Sequence, residues 1–216
     1  MSAARGKGVL ARRAGTTAVL AVVAAMPTMA GTAQATSAQA TSARATTAQT
    51  AGVASEVICS GYASCSSRGH SDHGYPGHSR SSYWRMTAGN ECTNYVAYVE
   101  AKAFHARQPR YLLGNAGQWA RTAAAHGVVV NHTPAVGAVA EWDGGAPGMG
   151  PEGHVAVVEK VGRHRRYIFI SQQHIGSDRN GYDWTRINAG YPSSAWQEWP
   201  SHFLHFRQRH HHRHHR

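Results

Sequence analysis

The spacing of apolar positions changes partway along this chain. From Cys92 onward, Val96, Val99 and Ala103 recur at steps of three and four, as the buried side of a helix does. Thr93 and Asn94 suit a first turn, where side chains that hydrogen-bond backbone amides are favoured. The helix is predicted to start at Cys92 and to end before Pro109. A second helix is predicted from Asn115, a cap, through Trp119 and Ala123 to a stop at Gly127. Beyond Gly127 the period becomes two. Residues 136–142, 154–161, 167–171 and 203–206 read as strands separated by turns containing Gly and Pro. Helices followed by a mostly antiparallel sheet make an α+β plan. Residues 59–89, rich in Gly, Ser, His and Tyr, predict irregular structure.

The two ends lack this patterning. Arg5, Lys7, Arg12 and Arg13 precede an apolar run over 17–27, and Ala33-Gln34-Ala35 offers a small-x-small cleavage site. Residues 1–35 therefore read as an export signal, with Thr28-Met29-Ala30 as a weaker, earlier cleavage site. The run is too short to span a bilayer, so stable membrane insertion is not expected. Residues 36–54 repeat Ala, Thr and Ser with little to bury, and read as a flexible tether. The folded domain is expected over 55–206, followed by a His/Arg-rich tail at 207–216. The protein is expected to be secreted, cell-wall associated and monomeric.

Charge placement narrows the partners. The chain carries a formal +11, but the signal and the tail each hold four basic residues and no acidic ones, which leaves +3 over residues 36–206. A nucleic-acid binder concentrates basic charge on its folded domain, so that class is disfavoured. Mild basicity suits anionic cell-wall polymers. The His cluster at 210–215 could hold a divalent metal, but without fixed geometry a solvated tail is expected.

Three cysteines leave one thiol to explain. Cys59 and Cys65 lie six positions apart, where a small loop could close as a disulfide in an oxidising compartment. That pairing leaves Cys92 free; other pairings stay open. At a helix N-terminus, unpaired amides and the dipole stabilise a thiolate, so Cys92 is a candidate nucleophile with a lowered pKa. The plainer alternative is a small buried Cys. His154 opens a strand after the flexible 144–153 stretch, placed to face a cleft and to act as a base. Such a base needs an orienting partner. Glu159 lies five residues on in the same strand and should point to the other face. Gln172 and His174 share a face at the end of the next strand, and Gln172 is favoured, since its amide oxygen fixes the tautomer without adding charge. The oxyanion hole would be the Cys92 N–H plus an upstream donor, with Tyr83 and Asn90 as candidates.

Five motifs occur in order: Asn-Glu-Cys-Thr-Asn-Tyr-Val-Ala-Tyr at 90–98, Gly114-Asn115-Ala116 with Trp119, Val136-Gly137-Ala138-Val139-Ala140, Gly153-His154-Val155-Ala156, and Trp199-Pro200 with Phe203-Leu204-His205-Phe206. Together they resemble the CHAP family, the cysteine- and histidine-dependent amidohydrolases and peptidases, across residues 57–206. The resemblance implies a papain-like α+β domain that cleaves peptidoglycan amide bonds, as an endopeptidase or an N-acetylmuramoyl-L-alanine amidase. It implies Cys92 as nucleophile and His154 as general base, with no cofactor. Two departures stand out. Family members commonly carry Glu, and two positions later Asn, where this chain has Gln172 and His174. Some members also carry an Asp-rich calcium loop before the Cys, whereas residues 79–91 contain no Asp, so no metal site is expected. The missing acid keeps an alternative open: a wall-binding module on the same fold that has lost useful turnover.

Overall fold

The period-two segments pair edge to edge in a single antiparallel sheet. The computed structural model describes residues 53–173, 181–191 and 197–206. The segments read as an export signal and a tail, most of that read as a tether, and His174 lie outside the described residues. Among the described residues there are seven strands, β1 (Ser55–Ser60), β2 (Val129–Asn131), β3 (Val139–Trp142), β4 (His154–Val161), β5 (Tyr167–Gln172), β6 (Asp183–Asn188) and β7 (His202–His205). They run in the order β1-β6-β5-β4-β3-β7-β2. Three helices accompany them, α1 (Tyr62–Ser67), α2 (Cys92–Lys102) and α3 (Trp119–Ala125). The fold is α+β, as the change of period implies.

Alternation along the strands makes two cores. Val139, Val155, Val157 and Leu204 face α2 and α3. Ala140, Trp142, Ala156, Val158, Ile168, Ile170, Ile187 and Phe203 form a second core on the other face, against which Met149 and Trp199 pack. Elements that depart from the expected pattern do so for visible reasons. In β6 the buried positions include Asp183 and Thr185, so the strand has no apolar alternation to read. β2 is only three residues long. β3 starts at Val139 rather than at 136, because Gly137 turns the chain at φ 77°. The stretch read as irregular contains the short α1.

Helix α2 differs most from its expected form. Every residue from Asn94 to Glu100 is buried, whereas Ala103, assigned to the buried side, is exposed. The sheet covers one side of the helix, and the 71–91 segment wraps the other. Asn94 does not cap the helix; its amide instead pins that segment, accepting from the Tyr83 N–H at 2.9 Å and donating to Ser81 O at 3.0 Å and to the Tyr75 hydroxyl at 2.9 Å. Tyr75 in turn donates to Gly89 O. Tyr98 donates to His73 O at 2.7 Å. On the sheet side Tyr95 donates to Ser171 Oγ at 2.7 Å. A helix buried all round must satisfy its polar groups internally, and these bonds do so for Asn94, Tyr95 and Tyr98.

Behind α2, a 3-10 turn at Ala116–Gln118 leads into α3, and the Asn115 N–H donates to Gln118 Oε1 at 3.1 Å. Glu141 of β3 reaches the start of α3, where one carboxyl oxygen accepts from the Ala120 N–H at 2.6 Å and the other has no partner. Burial pushes this carboxyl up from 4.5 to about 8, against the Ala120 bond. The folded state therefore holds a proton that the unfolded chain releases between about pH 4.5 and 8, so this group makes stability fall as pH rises through that window, by about 1.4 kcal/mol per unit at most. Glu141→Gln should flatten that dependence. In denaturant melts the variant is expected to gain on the parent by roughly 1–3 kcal/mol between pH 5 and 8. Parallel curves would refute the buried proton.

Candidate active site

Cys59 and Cys65 are joined as a disulfide with their Cα atoms 5.2 Å apart, which leaves Cys92 as the free thiol. Cys92 is the first residue of α2 and is half-buried against the helix-side core. The expected lowering of its pKa is not what the surroundings produce. Burial pushes the thiol up to about 11, and the Glu91 carboxylate adds to this. The N–H groups of Val155, Thr93 and Cys92 itself face the sulfur and pull the other way, but desolvation outweighs them. The resting group is a neutral thiol.

Beside the sulfur lies a cleft of about 440 Å³, whose walls include Arg85, Thr87, Glu91, Asn115, Glu152 and Gly153. Two glycines let these walls meet. Gly117 N–H donates to Glu152 O at 2.7 Å. A Cβ on Gly117 would lie 2.6 Å from Gly144 N, and one on Gly153 would lie 2.5 Å from Trp142 O and 2.6 Å from the Gly117 backbone. Gly153 also holds φ 71°, so neither a side chain nor an ordinary conformation fits at the residue before His154. Arg85 on the opposite wall is anchored to the carbonyls of Pro109 and Tyr111 at 2.6 Å each.

His154 does not face this cleft openly. It is 3% exposed, behind Glu152 and Gly153, with its ring centroid 5.7 Å from that of Trp142. Its Nε2 lies 3.0 Å from Gln172 Oε1. Gln172 is fully buried, and each of its polar valences is used: Nε2 donates to Asp183 Oδ1 at 2.9 Å and to Gln197 Oε1 at 3.1 Å, while Oε1 also accepts from Gln197 Nε2 at 2.7 Å. With the amide oxygen facing His154, Nε2 carries the hydrogen of this bond. The sulfur meets the same strand one residue on, at the Val155 N–H.

Glu159 is engaged elsewhere. It sits at a bulge between Val158 and Lys160 and bonds His73 Nε2 at 2.7 Å and Ser171 Oγ at 2.6 Å. Of the two upstream oxyanion candidates, Tyr83 has its N–H committed to Asn94, and neither Tyr83 nor Asn90 lines the cleft. The residues that sequence reading missed are Asp183 and Gln197. The signal for Asp183 is the cross-strand register, which sets it directly opposite Gln172, and register is not written in the local pattern.

With the geometry in hand, comparison with known proteins adds the following. Residues 81–174 match the family model of the CHAP domain. A putative hydrolase of Streptococcus mutans serotype c (strain ATCC 700610 / UA159) is 36% identical over 94 residues, which cover 41% of this chain and 41% of that protein. The crystal structure of an N-acetylmuramoyl-L-alanine amidase from Staphylococcus aureus superposes with a TM-score of 0.44 at 27% identity, over 56% of this chain and 31% of that one. The chain thus spans less than half the length of each of these relatives.

Two outcomes follow from this geometry. Alkylation of Cys92 by iodoacetamide should climb about ten-fold per pH unit from pH 7 to 10, as a thiol at about 11 requires. A plateau below pH 9 would contradict the burial argument. Gly153→Ala should cost at least about 3 kcal/mol in thermal or denaturant melts, from the clash added to the strained φ. Gly145→Ala is the control, with φ 77° but nothing within 4 Å of its Cβ, and should cost only about 1 kcal/mol.

Proposed function

From the match of residues 81–174 to the CHAP family model, we propose an exported peptidoglycan hydrolase that cleaves amide bonds by a thiol mechanism, as an endopeptidase or an N-acetylmuramoyl-L-alanine amidase. One observation carries the reading. The free cysteine starts a helix whose first-turn amides face its sulfur, beside a strand-end histidine whose Nε2 is held by a buried, fully bonded amide. In this reading Nδ1 of His154 acts as base, with Gln172 as its orienting partner.

The chemistry then starts from the neutral thiol. Nδ1 of His154 takes the thiol proton as Sγ attacks the amide carbon. The oxyanion of the tetrahedral intermediate is stabilised by the Cys92 N–H. On collapse the C–N bond breaks, and His154 returns the proton to the leaving amine, giving a thioester. Water then attacks the thioester carbon, His154 carries the water's proton to the departing sulfur, and a carboxylic acid leaves. Because the thiol rests at about 11, its deprotonation is tied to substrate arrival rather than to a standing ion pair. The charged and apolar start of the chain supports export to the wall, with residues 55–206 as the working domain and the tail an added contact for anionic polymers.

A second reading has its own support. The high thiol pKa, the 3% exposure of His154 and an amide where an acid is common all suit a wall-binding module with little turnover. Mass spectrometry of soluble fragments from purified peptidoglycan treated with residues 55–208 separates the two. The hydrolase gives fragments with the parent and none with Cys92→Ala, and their new termini identify the bond. Silence from both, while each folded protein still pulls down with the wall, favours the module; equal release by both removes Cys92 from the mechanism.

A further inference from the structure

We propose that Asp183 is the positioning residue of this site: through Gln172 it supplies, one hydrogen bond farther out, the negative charge that an acid beside His154 would provide. The inference rests on the thiol-hydrolase reading for its consequence in catalysis, but not for its geometry. Asp183 and Gln172 are direct cross-strand partners of β6 and β5, so their side chains lie together on one face. Asp183 Oδ1 accepts from Gln172 Nε2 at 2.9 Å and from Thr185 Oγ1 at 2.7 Å. An ionised carboxylate accepts only, so it fixes which end of the Gln172 amide turns toward it. The oxygen end is thereby held toward His154, at 3.0 Å from Nε2. Gln197 completes the bonding of Gln172 in this orientation through a reciprocal amide pair, and adopts φ 60°, a strained value for a residue other than glycine.

The energetics mark Asp183 as a residue kept for something other than folding. It is 6% exposed and faces no cation in its hydrogen bonds; burial pushes its carboxyl up from 3.8 to about 6, against the bonds from Thr185 and Gln172. With the folded value above the unfolded one, the ionised group costs stability above about pH 6. Replacing it by a neutral isostere should relieve that cost. A charge held in the interior at a loss, and aimed through a saturated amide at an imidazole, matches a trade of stability for function.

The pair predicts an exchange experiment. Asp183→Asn should melt at or above the parent temperature, yet lower the imidazole midpoint of His154 by about one unit, about ten-fold in proton affinity. The midpoint is followed by NMR on the signal missing from His154→Ala. Peptidoglycan cleavage should fall by about ten-fold in kcat/KM. Gln172→Glu alone sets two carboxylates against each other and should lose stability and activity. The double variant Gln172→Glu with Asp183→Asn restores a donor opposite an acceptor with their places exchanged, and should recover at least ten-fold over Gln172→Glu. If Asp183→Asn leaves the His154 midpoint within about 0.2 units of the parent, or the exchange recovers nothing, the proposal falls. Should Asp183→Asn fail to fold, the exchange pair decides on the same readouts. Since the midpoint involves no wall substrate, a parent without hydrolytic activity would overturn the functional reading and leave this test standing.

Discussion

Helix α2 is buried on every side from Asn94 to Glu100, and the position of the sulfur at its tip follows from that. A helix in this setting cannot leave its polar side chains to water, so each must find a partner in the elements around it. Asn94 and Tyr98 find theirs in the 71–91 segment, and Tyr95 finds Ser171 on β5. Those bonds tie the helix to both of its neighbours and fix its rotation. Glu100 is the exception. One of its oxygens lacks a partner, and burial, with the Glu159 charge nearby, holds its carboxyl far above the usual range, so it sits in the core as a neutral acid.

The burial that fixes Cys92 also sets its chemistry, in the opposite sense to the helix dipole. A helix end offers a sulfur a partial charge worth up to about 2 kcal/mol when partly buried. Taking the thiolate out of water costs more than that here, since the thiol rises from 9.0 to about 11 even with three N–H groups facing it. The contest between dipole and desolvation is decided by how tightly the helix tip is packed, and packing is a property of the whole fold rather than of the residues around Cys92.

This explains what was legible in the sequence. β4 could be read because its apolar run is buried on both faces, β5 because Ile168 and Ile170 alternate with half-buried neighbours, and the helix around Trp119 because Asn115 and Gly127 mark its ends. β6 could not, because Asp183 and Thr185 occupy inward positions that an apolar pattern would need. Strand parity sets aside Glu159 and leaves Gln172 and His174 on one face as partners for His154, and the acceptor chemistry of the amide favours Gln172. Asp183 and Gln197 were not accessible in this way, because they lie 11 and 25 positions from Gln172 and reach it only through the register and a loop. The all-round burial of α2 was hidden for a similar reason: half of its cover comes from a segment whose composition suggests no packing at all.

The two halves of the site belong to different cores. Trp142 and Ile170 line the face of the sheet that carries Gln172, Asp183 and the ring of His154. Cys92 packs with Val155 on the helix face. The halves meet where β4 begins, at residues 153–155, with the Val155 N–H turned to the sulfur and Nε2 of His154 turned to the amide. At Gly153 no side chain fits this junction, since the Trp142 carbonyl and the Gly117 backbone fill the space. Close glycine packing at Gly153 and Gly117 therefore helps to set where the base sits relative to the nucleophile. Each core can then be held rigid on its own terms, and the sheet between them sets one relative to the other.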